Sequence, residues 1–347
     1  MSNLQIGLAV AGGLVLAGVV GYNTWTSRKN APRQAAPEAP VEPGGLDPVE
    51  PAYSEADGSQ VRDMALPTPA KKPALDALID VIASVALDPA TPVVSGDAAI
   101  AALPATRRAG TKPIAVEGLN QRSQQWEAPL AGQRYTSFQV GVQLANRTGA
   151  LNEIEYSEFV VKTQAFADAI GATPDFPEMR DEVARARELD QFASAHDAQL
   201  GFTVRARNAS WSPGYVHQNA ARLGFVAGAI AGRLELPSAQ EGMPPVLVLA
   251  FDSQAALAED PAQSAIREIS LHLDVAQADR AEQPFERMRD AAFALAHSMD
   301  GVVTDDNGQP LAPETMEVIG TELQTLYNTL EQRDLAAGSA VARRLFS

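Results

Sequence analysis

The stretch IREISLHLDV, Ile266 to Val275, alternates with a period of two: Ile269, Leu271, Leu273 and Val275 are apolar, and Ser270 and His272 stand between them. Successive side chains of a strand point to opposite faces, so one face of this strand belongs to a core and the other to solvent. A sheet with one wet face is the habit of antiparallel α+β architecture.

Neighbouring segments repeat the pattern. LGFTVRAR (200–207) buries Phe202 and Val204 and turns Thr203 and Arg205 outward, while PPVLVLAF (244–251) buries Leu247, Leu249 and Phe251 and exposes Val248 and Ala250. FVAGAIAGRLEL (225–236) reads as one further strand, whose Gly228, Ile230 and Gly232 would give the outer face a shallow trough with one apolar knob. Helices fill the intervals: SPGYVHQNAARLG (212–224) with a Ser212 cap, Pro213 in its first turn and Gly224 as its stop, PFERMRDAAFALAHSMDG (284–301), and PETMEVIGTELQTLYNTLEQRD (313–334) as the last. VVTDDNGQPL (302–311) is a tight hairpin turning at Asn307-Gly308.

Residues 73–195 have the same grammar. LIDVIASVAL, KPIAVEGL and RYTSFQVGVQLAN are strands, SGDAAIAAL is a short helix, and NEIEYSEFVVKTQAFADAIG is a long one bounded by Asn152 and Gly171, with another after Pro177. Laying Leu75–Leu189 on Leu200–Leu323 sets strand on strand and helix on helix, which suggests a tandem duplication with a boundary near Phe192 to Ala198. Any two α+β sandwiches of this order would align as well.

Ahead of both halves, Leu4 to Tyr22 holds only Gln5 as a strongly polar residue, enough for a helix of about 28 Å, the depth of a bilayer core. No Lys or Arg precedes it, and Arg28, Lys29 and Arg33 follow, so the charge bias sets residues 1–3 outside, residues 4–24 across a membrane in a single pass, and the remainder in the cytoplasm. A cleaved signal peptide would need a charged n-region and a shorter apolar core. Ala9, Gly13, Ala17 and Gly21 form a small-residue ridge suited to homodimer contact between such helices, although membrane helices tolerate glycine generally. Residues 25–72 are proline-rich and acidic without hydrophobic period, a disordered, solvated linker. Some forty residues of it reach at most ~130 Å.

Composition narrows function. A net charge of −16 without a basic stripe argues against nucleic acid as a partner. There is no cysteine, and His196, His217, His272 and His297 show no ligand spacing, so no metal or other cofactor is expected. Asp305 and Asp306 lack the spacing of a calcium loop, and no nucleophile elbow, phosphate loop or dinucleotide fingerprint appears. No residue is assigned a catalytic role.

The run Ala291–Leu326, in which a helix closes on Met299-Asp300-Gly301 and leads into Val302-Val303-Thr304-Asp305-Asp306 and a helix begun by Pro313, resembles the C-terminal domain of the ZipA family of bacterial cell-division proteins. The layout of anchor, proline-rich linker and terminal domain is similar too. The resemblance covers about residues 198–335 and implies a six-stranded antiparallel sheet with helices on one face, the bare face taking up the C-terminal tail of FtsZ. It would make residues 198–340 an FtsZ-binding domain of split β-α-β type and residues 73–195 an extra domain of related form. Set on that fold, the candidate partner-binding residues are Thr203, Arg205, Gly228, Ile230, Gly232, Val248, Ala250, Ser270 and His272. They are smaller and more polar than the family's groove. That leaves room for the first domain, with Phe138, Val140 or Val142 at its surface, to bind the partner instead, or for another division or envelope-synthesis protein to use the same face.

Overall fold

The computed structural model describes residues 32–35 and 75–347. Residues 1–31, and with them the apolar segment 4–24, lie outside the described residues, as does most of the linker reading. Among the described residues no helix is long and apolar enough to cross a membrane.

The first half runs β1 (Asp80–Leu87), α1 (Gly96–Ala102), β2 (Lys112–Asn120), β3 (Arg134–Gln143), α2 (Glu153–Ala169), β4 (Ala172–Asp175) and α3 (Met179–His196). Local chemistry sets the helix starts. Ser95 Oγ accepts from Ala98 N at 3.3 Å, and Asn152 with Glu155 forms a reciprocal capping box on α2. The antiparallel sheet is ordered Arg108–Ala109, β2, β3, β1, β4. Its register puts Val81 beside Val142 and Ala83 beside Val140, with Ile114 and Val116 continuing the rows on β2.

Those rows correct one expectation. Phe138, Val140 and Val142 are fully buried beneath the helices, with the Phe166 ring edge-on to Phe138 at 5.5 Å. They are the apolar set of an alternating strand, and hiding each is worth about 2 kcal/mol, so Gln139, Gly141 and Gln143 take the opposite face of the sheet, where Gly141 and Gln143 are themselves covered.

The second half continues with β5 (Gln199–Ala206), α4 (Pro213–Ala221), β6 (Val226–Ala227), β7 (Arg233–Leu236), β8 (Leu247–Ala250), β9 (Glu268–Asp274), α5 (Pro284–Met299), β10 (Gly301–Thr304), α6 (Pro313–Glu331) and α7 (Ala340–Leu345). Its six-stranded antiparallel sheet is ordered β6-β7-β8-β9-β5-β10. In both halves the opening strand lies between the last strand of the meander and the strand that follows the long helix, β1 between β3 and β4, β5 between β9 and β10. On the inner face Phe202, Val204, Leu247, Leu249, Ile269, Leu271 and Leu273 are buried, and Phe285 of α5 meets Phe202 edge-on at 6.3 Å.

Two further expectations need correction. FVAGAIAGRLEL is a hairpin, β6 and β7, rather than one strand. Gly232 has φ +77°, the left-handed region, and a Cβ there would lie 2.6 Å from Phe251 O, so the chain turns at this glycine. Nor is the helix after Pro313 the last. α7 follows, and Ala342, Leu345 and Phe346 are buried.

α7 also closes the seam between the halves. Arg344 Nη2 and Nη1 reach Asp80 at 2.5 and 2.9 Å, and Gln143 Nε2 donates to Arg344 O at 2.7 Å. Arg147 of the first half forks onto Asp197 and Asp274 at 2.6 and 2.7 Å. Part of the segment read as linker is ordered as well: Arg33 pairs strand-like with Trp211 of the second half, which itself pairs with Ile266.

Candidate partner-binding face

β5, β8 and β9 build the outer face of the second sheet, because the period that commits Phe202, Leu249 and Leu271 inward leaves the alternate side chains on the other face, where no helix of the described residues packs above them. Register brings six of the nine candidates together. Thr203 lies opposite Ser270, which lies opposite Ala250; His272 lies opposite Val248; and Arg205 flanks Thr203, opposite Glu268. Thr203, Val248, Ala250 and Ser270 are half-buried by their neighbours, and Arg205 and His272 are exposed.

Gly228, Ile230 and Gly232 do not join them. They sit in the loop between β6 and β7, where Gly228 N donates to Arg233 O at 3.0 Å and Ile230 is 61% exposed. Their place on the face is taken by Arg233 and Glu235, opposite Ala250 and Val248, with Val226 beyond Glu235. The signal for these was present in RLEL, whose Leu234 and Leu236 claim the core and leave the charged pair outside.

The face has a floor of small side chains and a charged border. Ser270 Oγ donates to Ala250 O at 3.3 Å and lies 3.1 Å from His272 Nε2. Arg205 approaches Glu268 at 3.4 Å and Arg233 approaches Glu235 at 3.2 Å. Such exposed pairs contribute less than about 1 kcal/mol each, so both can open to an incoming charge. One margin is closed by the Asp305–Gly308 turn: Asp306 Oδ1 lies 3.2 Å from where a Gly201 Cβ would be, and the Arg205 guanidinium lies against Gly308, whose φ is +80°. The arrangement suits a short amphipathic chain, with apolar groups over Val248 and Ala250 and charges of either sign at the rim.

Among the described residues no group of three or more His, Asp or Glu is placed to hold a metal ion. No curated protein matches the chain. Residues 251–322, which contain β9, α5, β10 and the first part of α6, match the family model described as the ZipA C-terminal FtsZ-binding domain. The match takes in most of the run Ala291–Leu326 that carries the resemblance read in the sequence, and over residues 251–322 the second half of this chain is similar to the C-terminal domain of the ZipA family.

Proposed function

We propose that this chain is a non-enzymatic adaptor that ties FtsZ to the bacterial inner membrane, its second half taking the FtsZ C-terminal tail on the outer face of β5, β8 and β9. The observation that carries this reading is the uncovered face itself, built partly from the matched segment: Ser270 and His272 lie within residues 251–322, and among the described residues no helix packs above them. Extended or helical tails are held in this way by burying a few apolar side chains against a preformed surface. The apolar stretch 4–24, followed by Arg28 and Lys29, supports a single-pass anchor with the N-terminus in the periplasm and both halves in the cytoplasm. The small-residue ridge at Ala9, Gly13, Ala17 and Gly21 supports dimer contact within the bilayer. The common strand order of the halves supports a duplication.

The test is titration of an FtsZ tail peptide against the full chain and its Val248→Asp and Ala250→Glu variants, followed by isothermal calorimetry. Binding by the parent chain and at least a tenfold loss in both variants is the expected result. Undiminished binding by the variants removes the face from the reading, and no binding at high micromolar peptide removes FtsZ. The polar floor at Thr203, Ser270 and His272 favours one second reading, in which the same face holds a different, more polar division or envelope-synthesis protein.

A further inference from the structure

We propose that Pro32 to Ala35 is an intramolecular strap that docks on the second half beside Trp211, so that this half is held by the start of the linker and not by its end. Four contacts build the dock. Arg33 N donates to Ser210 O at 2.7 Å, and Ser212 N donates back to Arg33 O at 2.8 Å, which makes Arg33 the outer member of a three-layer pairing of Arg33, Trp211 and Ile266. The Arg33 guanidinium meets Asp300 Oδ2 at 2.8 Å and Met299 O at 3.3 Å.

The receiving surface is shaped before the strap arrives. Trp211 is fully buried, and its Nε1 donates to the same Met299 O at 2.8 Å. Asp300 ends α5 in the left-handed region at φ 58°, and Asn208 Nδ2 also donates to its carboxylate at 3.1 Å. The C-terminal end of a helix carries exposed carbonyls and a partial negative charge, and with Asp300 added it is matched to a cation. Arg33 supplies that cation, and its backbone supplies the edge pairing that a free strand-like rim accepts. Ala35 continues alongside Gly214 of α4. Among the described residues none of the strap's hydrogen-bond partners belongs to the outer face of β5, β8 and β9, so docking of Pro32 to Ala35 does not cover that face.

The strap resets the geometry of the linker. Residues 25–31 span at most roughly 25 Å, against the ~130 Å available to some forty linker residues. With residues 4–24 as the anchor, as proposed above, the second half works close to the bilayer while docked and gains reach only on release. The strap itself does not depend on the anchor or on FtsZ.

The absence of native cysteine makes the test direct. Spin labels at Gln34→Cys and His297→Cys, both exposed, report the strap distance by pulsed electron resonance in the full chain, diluted with unlabelled chain so that only pairs within one molecule count. A single narrow, short distance is expected. Its loss to a broad distribution is expected in Arg33→Glu, which sets a carboxylate against Asp300, and in Arg33→Pro, which removes the donor to Ser210 O. Both substitutions lie on the strap and leave the domain's own packing intact. A broad distribution in the parent chain, a narrow one unchanged by both variants, or a distance that vanishes on dilution overturns the proposal.

Discussion

Arg344 on the last helix holds Asp80 at the start of the first strand by two parallel hydrogen bonds, across the seam between the halves. The Asp80 side chain is fully buried and that of Arg344 is 16% exposed. Burial pushes the Asp80 carboxyl above its usual value, while Arg344 pulls it back through its hydrogen bond and its charge. Replacing Arg344 by Ala would leave a buried carboxylate without its cation, at a cost of about 3–5 kcal/mol. Thermal unfolding at neutral pH measures the loss.

The same pair sets a pH dependence. A carboxyl raised in the native state binds its proton more tightly there than in the unfolded chain, so its contribution to stability is full below the ordinary value of 3.8 and falls as pH rises through the raised native value. The Arg344→Ala penalty should therefore shrink at mildly acid pH, where Asp80 becomes neutral. Melting curves of parent and variant from pH 4 to pH 7.5 should converge toward the acid end, and parallel curves would contradict the assignment.

Arg147 is the second clasp, bidentate to both Asp197 and Asp274, and the two carboxylates hold its guanidinium more firmly protonated than usual. Its side chain is 27% exposed, so solvent screens the pairs, and Arg147→Ala should cost only about 1–2 kcal/mol. Lysine cannot supply the fork and should not restore it. Hydrogen exchange should rise selectively in α7 and around Asn146.

The β6–β7 loop separates backbone need from surface chemistry. Gly232→Ala forces a side chain into the left-handed region against Phe251 O and should destabilise by about 1–3 kcal/mol. Ile230→Asp, in the same loop but exposed, should change stability by less than about 0.5 kcal/mol and leave peptide affinity untouched. A loss of affinity in Ile230→Asp would extend the binding face to the loop.

Tyr327 on α6 has a buried hydroxyl with no hydrogen-bond partner among the described residues, and burial pushes its phenol up to about 12. Its ring still packs against Arg280, 5.4 Å from the centroid. Tyr327→Phe keeps the ring and removes the unmatched hydroxyl, so it should raise stability by about 1 kcal/mol, read as a higher denaturant midpoint at unchanged slope.

How legible this was in the sequence depended on periodicity. IREISLHLDV and LGFTVRAR announced their inner faces because large apolar residues alternated with small or polar ones, and PVLVLAF because Leu247 and Leu249 alternated with the smaller Val248 and Ala250. The outward set of six residues followed from that period, and its reading as a partner-binding face came from the family resemblance. FVAGAIAGRLEL misled because small residues carry no period; its turn is written in the left-handed backbone of Gly232 and in a close approach to Phe251. Phe138, Val140 and Val142 had the right period, but alternation does not say which set the helices cover, and here they cover the larger side chains. The α7 clasp and the Arg33 strap were beyond reach, since a buried ion pair and a single-residue pairing join positions hundreds of residues apart and leave no local pattern.

The seam has a consequence for crowding along a partner. Because Arg344, Arg147 and the buried Leu345 and Phe346 fasten the two halves together, whatever binds the second sheet also acquires the first half as a fixed neighbour. On a partner that repeats at regular intervals, the spacing between bound copies is then governed by the footprint of residues 75–347 together, not by the area of the face that makes the contact.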